Sequence, residues 1–253
     1  MLNKILIIIW FIKRPTYYLH FFSLIKRKFL LNHDTDLNRT EAIKWARNKS
    51  VSYPDALKKL NLKGDIFGLD DKTINEAYKL KNKSSTKMGG SANINLIYNC
   101  VRSLNAKTVL ETGVAYGWSS LSILKALSEL KKGKLVSIDM PYPIKNNESE
   151  VGIVVPKYLK KNWVLIRKPD NPGIIEGLDI LGGKIDLCHY DSDKSWWGRN
   201  FAYPILWKAL NPNGLFISDD IQDNLYFSNF VEKNFLKYAV VEFEGKYIGL
   251  IRK

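Results

Sequence analysis

From Thr108 onward, short apolar runs alternate with helix-length segments, and this alternation constrains the chain to an α/β architecture. The strand-like runs are Thr108 to Glu111, Leu135 to Asp139, Trp163 to Arg167, Ile185 to Tyr190 and Leu215 to Ser218. Helical stretches separate them at Ser119 to Leu130, Ile174 to Leu181 and Phe201 to Leu210. Such an order predicts a doubly wound, mostly parallel sheet whose functional groups emerge at strand ends. A helix over Phe227 to Leu236 then leads to two runs, Ala239 to Phe243 and Tyr247 to Ile251. The Gly245-Lys246 turn between them predicts a C-terminal antiparallel hairpin.

The 253 residues, 45% of them hydrophobic, suffice for a filled core plus an appendage. We expect a domain over 84–253, preceded by a basic aromatic region with accessory helices over 1–83. Within that region Trp45, Leu57, Leu60 and Leu62 supply apolar faces, and Gly64, Gly68 and Asp70-Asp71 punctuate the pattern before a helix from Thr73 to Lys81. A polar loop, Ser84 to Gly90, precedes a segment from Ser91 to Leu104 in which Ser91 is the expected cap. Cys100 and Cys188 lie in apolar segments and form no CxxC pair, while His20, His33 and His189 are scattered, so neither a disulfide scaffold nor a structural zinc is expected. Ile5 to Ile12 is too short to span a bilayer, and no small-residue cleavage site follows it.

A net charge of +14 favours phosphates, acidic glycans or anionic membranes without choosing among them. The asymmetry is local: Lys4, Lys13, Arg14, Lys26, Arg27 and Lys28 precede the first acidic residue, Asp34. Trp10, Phe11, Tyr17, Tyr18, Phe21, Phe22 and Phe29 are interspersed with them. Two readings stay open, a peripheral contact with lipid headgroups and an arm packed on its own domain or on another subunit.

The run Val109-Leu110-Glu111-Thr112-Gly113-Val114-Ala115-Tyr116-Gly117 delivers Glu111 to the end of a strand, where Gly113 and Gly117 permit tight turns and close ligand approach. Ala115 breaks the dinucleotide fingerprint GxGxxG. The run resembles the first motif of class I S-adenosylmethionine methyltransferases. That resemblance implies that Gly113, Ala115 and Gly117 hold the methionine part of the cofactor and that Glu111 supports its amino end. Asp139 closes the next strand, where a carboxylate can accept hydrogen bonds from both ribose hydroxyls. Asp170, after the third strand, is read either as an adenine contact or as a turn-forming residue.

Two further strands end in carboxylates, at Asp191 and at Asp219-Asp220. Together these three side chains would make an oxygen-rich site for Mg²⁺ or another hard divalent cation. With the glycine turn, they resemble the metal-dependent catechol, caffeoyl-coenzyme A and sugar O-methyltransferases over roughly Ser85 to Arg252. The resemblance implies metal-ligand roles for Asp191 and Asp219 and a general-base role for Lys194. Asp220 stands where many relatives have Asn and the antibiotic-sugar group has Asp, which points toward a sugar hydroxyl. A solvent-facing salt bridge is the other reading of Lys194. His189 reads as a structural histidine, and Trp196 and Trp197 as helix packing or an acceptor wall.

The combined expectation is a Rossmann-like methyltransferase fold with an N-terminal helical extension, acting as an S-adenosylmethionine-dependent, metal-assisted O-methyltransferase on a sugar or other small metabolite. Its expected location is cytoplasmic or peripheral at an anionic membrane, with homo-oligomers allowed. The competing functions are a nucleic-acid methyltransferase, an NAD-dependent oxidoreductase and a noncatalytic membrane-associated binding protein.

Overall fold

Strands that are apolar on both faces need cover on both faces, and the chain supplies it with two layers of helices. The computed structural model describes residues 2–145 and 147–253. Helices α1 (Leu2–Ile12), α2 (Tyr18–Arg27), α3 (Asp36–Lys49), α4 (Tyr53–Lys59), α5 (Asp71–Lys81) and α6 (Ile94–Leu104) precede the sheet. There follow β1 (Thr108–Thr112), α7 (Trp118–Glu129), β2 (Lys134–Ile138), β3 (Trp163–Ile166), α8 (Asp170–Ile180) and β4 (Ile185–Tyr190). The chain closes with α9 (Trp196–Ala209), β5 (Leu210–Ser218), α10 (Tyr226–Lys233), β6 (Lys237–Phe243) and β7 (Lys246–Arg252).

The seven strands lie in the order β3-β2-β1-β4-β5-β7-β6. Strands β1 to β5 are parallel, while β7 runs antiparallel to both β5 and β6. The expected Rossmann-like sheet and terminal hairpin are therefore present. Register explains the two cores. Val109, Leu187 and Leu215 align across β1, β4 and β5 and enter one core with residues of α4 to α7. Their neighbours Leu110, Cys188 and Phe216 enter the opposite core with residues of α3 and α8 to α10. Residues on both sides of position 84 share the first core, among them Leu57, Leu60 and Leu69. Among the described residues, no helix is long and apolar enough to cross a membrane.

Local caps shift several element boundaries. Helix α6 is capped by Asn93, whose Oδ1 accepts from the Leu96 amide at 3.1 Å, rather than by Ser91. Helix α8 begins at Asp170 instead of Ile174, because Pro172 is tolerated within a first turn whose amides need no intrahelical partner. Helix α9 begins at Trp196 instead of Phe201, since the Ser195 hydroxyl accepts from the Gly198 amide at 3.1 Å. Pro15 separates α1 from α2, and Phe11 stacks on Phe21 with ring centroids 4.9 Å apart.

At the start of α5, Asp70 Oδ1 accepts from the Thr73 amide at 2.9 Å and Oδ2 pairs with Lys125 Nζ at 3.0 Å. The Thr73 amide outweighs a small burial cost and, with Lys125, lowers this carboxyl to about 2. A depressed folded-state value contributes stability above the ordinary Asp range, and that contribution is lost as pH falls toward 2. Asp70→Ala should cost about 1 kcal/mol in urea unfolding at pH 7. Unfolding curves of the variant and the parent should converge near pH 2; a constant difference across this range would overturn the capping account.

Candidate active site

The carboxyl ends of β1, β2 and β4 open into a cleft of about 920 Å³, roofed by α2. Its floor is the turn after β1. Gly113 adopts φ +80°, and a Cβ there would lie 2.3 Å from the Asp191 carbonyl oxygen, so a side chain would force β1 and β4 apart. Ala115 occupies the left-handed region at φ +47°. This conformation is held by the segment after β2, where the Gly152 amide donates to the Ala115 carbonyl at 2.9 Å and the Val154 amide to the Tyr116 carbonyl at 3.1 Å. Ala115 and Gly117 thus shape the turn without lining the cleft.

Asp139 lies beside this turn and lines the cleft. Its Oδ1 accepts from the Val114 amide at 2.9 Å, and its Oδ2 pairs closely with Arg167 Nη1. Burial raises its pKa despite both partners. A carboxylate offers about four acceptor positions, so these two contacts leave capacity for ligand hydroxyls. Asp170 also lines the cleft, at the first turn of α8, where it accepts from the Ser192 hydroxyl at 2.6 Å. Burial lifts its pKa to about 6.

Glu111 is fully buried and does not reach the cleft, contrary to the expected contact with a cofactor amino group. Its Oε2 accepts from Ser137 at 2.6 Å and from Ser120, while Oε1 faces His189 Nδ1 at 3.7 Å. On the other edge of the imidazole, Nε2 lies 3.4 Å from Asp219 Oδ2. Burial opposes a charge on His189, but Asp219 and Glu111 overcome it and raise the pKa to about 10. The imidazole thus sits between carboxylates from the two neighbouring strand ends, which favour its charged form.

Asp191 lines the first cleft, whereas Lys194 and Asp220 line a second cleft of about 600 Å³ with Arg39, Gln222 and Tyr247. Lys194 stands at the junction: its Nζ is 2.9 Å from Asp191 Oδ1 and in close contact with Asp220 Oδ2. Burial would release its proton, but Asp191 and Asp220 outweigh that and raise the pKa. These carboxylates favour the charged form of Lys194, which runs against the expected role as general base, since a base must be neutral before it takes a proton. Asp191 is itself raised to about 6, by burial and then by the neighbouring charge of Asp219.

The expected centre of three carboxylates is not assembled. Asp220 turns to Lys194 and to Lys246, whose Nζ is 3.1 Å from its Oδ1. Among the described residues, no group of three or more His, Cys, Asp or Glu side chains is arranged to hold a metal ion. Asp219 does keep a buried Oδ1 with no hydrogen-bond partner, while the buried Oδ1 of Asp191 faces the Lys194 ammonium.

Three supporting residues escaped the sequence reading. Arg199, completely buried on α9, donates to the carbonyls of Asp220 at 2.7 Å and Asp219 at 3.3 Å, fixing the turn in which Asp220 takes φ +51°. Nothing in the local pattern distinguishes it from a solvent-facing helical arginine. Arg167 had a usable signal, since it follows β3 directly at the same sheet edge as Asp139. Arg27 reaches from α2 to Asp193 Oδ2 at 2.5 Å, a pairing across the fold that spacing does not reveal. Asn224 donates to the Lys194 carbonyl at 3.0 Å and accepts from Arg199 at 3.1 Å. Trp197 lines the first cleft, while Trp196 stacks on His33 with centroids 4.0 Å apart.

Residues 110–221 match a family model described as Methyltransferase domain. The chain is similar to the O-methyltransferase TomG from Streptomyces achromogenes, involved in tomaymycin synthesis and solved with SAM (16% identity, TM-score 0.56, 73% of this chain and 90% of that one). An SAH-bound methyltransferase from Podospora anserina gives 16% identity and a TM-score of 0.57 over 74% of this chain and 90% of its own. The O-methyltransferase from Bacillus cereus, solved with SAH, gives 13% identity and a TM-score of 0.54 over 82% of this chain and all (100%) of its own. At these identities the likeness establishes a shared fold. No curated protein matches the sequence.

If the turn after β1 seats a ligand by backbone approach, Gly113→Ala should weaken S-adenosylmethionine binding by at least about 10-fold, the loss expected from displacing a tightly fitted contact. Calorimetry on a variant with an unchanged far-UV spectrum checks this. Parental affinity in the folded variant would remove the turn from the binding site.

Proposed function

We propose that this chain transfers the methyl group of S-adenosylmethionine to a hydroxyl oxygen of a small acceptor. The observation that carries this reading is the Asp191–Lys194 pair, in which a residue lining the glycine-floored cleft lies 2.9 Å from a residue lining the second cleft. The first cleft suits the cofactor: Gly113 admits close approach, Asp139 offers acceptor capacity for ribose hydroxyls, and Asp170 borders the same space. The acceptor belongs in the second cleft. When bound, S-adenosylmethionine supplies an electrophilic methyl on a sulfonium.

The acceptor hydroxyl must lose its proton as its oxygen bonds to the methyl carbon and the sulfur–methyl bond breaks, the electron pair returning to sulfur and S-adenosylhomocysteine leaving as a neutral thioether. Asp191 takes that proton, because burial beside Asp219 makes its carboxylate unusually basic. The Lys194 ammonium donates a hydrogen bond to the acceptor oxygen and stabilises the negative charge that develops there. Arg199 and Asn224 position this pair by fixing the backbone of Asp220 and Lys194.

Asp219, whose buried Oδ1 has no hydrogen-bond partner, and Asp191, whose Oδ1 faces the Lys194 ammonium, would be the two protein ligands of a hard divalent cation, Asp191 then holding the ion instead of the proton; Asp220, bound by two ammonium groups, does not join them. Such an ion would supply Lewis acidity that lowers the pKa of the acceptor hydroxyl. A sugar hydroxyl is the acceptor class favoured by an Asp at position 220.

Transfer of a labelled methyl group to a panel of sugar and diol acceptors tests the reading. Asp191→Asn should lower kcat by roughly 10²- to 10⁴-fold, the range for a lost general base, while S-adenosylmethionine affinity stays within about 3-fold. Unchanged turnover in this variant would overturn the proton-transfer role. A chelator-treated enzyme should lose turnover and regain it with Mg²⁺; full turnover after chelation would remove the cation while leaving methyl transfer standing. Failure of the folded protein to bind S-adenosylmethionine would overturn the function itself.

A further inference from the structure

The N-terminal hairpin leaves uncovered an apolar face that the catalytic reading does not use. Helix α1 buries Trp10 and Phe11, at 7% and 2% exposure, yet exposes Ile5, Ile8, Ile9 and Ile12. Their spacing of three and four residues makes one helical face. Beyond Pro15 the pattern continues: Leu19, Phe29 and Leu31 are 87%, 85% and 72% exposed, and Phe22 is exposed beside them. Among the described residues, large apolar side chains are seldom left this open in so short a stretch, since a typical soluble surface scatters them singly.

The charge around this face selects its occupant. Lys4, Lys13, Arg14, Lys26, Arg27 and Lys28 are its flanking charges, and no acidic residue occurs before Asp34. With Arg27 paired to Asp193, two copies of the face brought together would oppose ten cations (two sets of five) with no acidic group from the same segment to offset them. An anionic bilayer instead supplies phosphates for the cations and an acyl boundary for the isoleucines, leucines and phenylalanines.

We propose that the α1–α2 hairpin docks the protein on the surface of an anionic membrane, with its apolar face in the headgroup–acyl boundary. The interface is peripheral, because α1 is only 11 residues long. Its placement has a consequence for the site: Leu19, Leu24, Lys26 and Leu30 border the first cleft, and Arg27 ties the hairpin to Asp193. Docking therefore holds the roof of that cleft at the lipid surface. This surface is independent of methyl transfer and is tested without turnover.

The test is flotation of the full chain with vesicles of phosphatidylcholine alone or mixed with phosphatidylglycerol, at low and high salt. Two variants accompany it: Ile12→Ser with Phe22→Ser and Phe29→Ser, and Lys4→Gln with Lys13→Gln and Lys28→Gln. All six side chains are exposed, and thermal unfolding verifies that each variant folds. The parent should bind the anionic vesicles on the order of 10-fold or more tightly than the neutral ones, with binding weakened by salt. Both variants should lose most of that binding. Absence of vesicle binding by the folded parent, equal binding to neutral and anionic vesicles, or unaltered binding in both variants would overturn the proposal. So would a stable dimer that ignores vesicles and is dissolved by the apolar variant, since the face would then belong to a second copy.

Discussion

An imidazole with no exposed surface, set between the carboxylates of Glu111 and Asp219, is the constraint on which the catalytic end of the sheet depends. Isolated charges are costly to bury, so each of the three groups needs the others. The three lie on or beside β1, β4 and β5, and the chain of charges therefore couples the neighbouring strand ends that carry the glycine turn, Asp191 and Asp219. Removing His189 would leave the carboxylates of Glu111 and Asp219 facing a gap. The ends of the strands would then lose their mutual reference.

From that anchor the site is built outward in two directions. Toward β2, the turn at Gly113 packs against the backbone of Asp191 so closely that no side chain fits, and Asp139 and Arg167 border the resulting cleft. Toward β7, Arg199 clamps the Asp219-Asp220 carbonyls and Lys194 spans to both Asp191 and Asp220. The Asp191–Lys194 ion pair joins a residue lining one cleft to a residue lining the other. The same arrangement explains why Asp220 stands apart from Asp191 and Asp219: two lysines satisfy its charge before a metal could.

The N-terminal hairpin links this chemistry to the protein's surface. Its inner face is an aromatic cluster, Trp10, Phe11 and Phe21, and Arg27 connects it to the loop after β4. Its outer face carries apolar side chains and cations in a mixture that suits neither a protein core nor bulk water.

Period and punctuation determined the architecture by themselves. Apolar runs of strand length, broken by helices and ending in Gly113, Asp139, Asp191 and Asp219, specify a covered parallel sheet with carboxylates at one edge, because side-chain alternation and crossover length are local properties. Helix starts were less legible, since Asn93 and Ser195 act as caps through hydrogen bonds that depend on how the chain enters the helix. Protonation states and partners were decided only in three dimensions. Glu111 reads as a cofactor ligand until burial beside His189 claims it, and Lys194 reads as a base until Asp191 and Asp220 hold its proton. Both outcomes turn on charges brought together from distant parts of the chain, and electrostatic energy depends on separation and burial, neither of which sequence distance encodes.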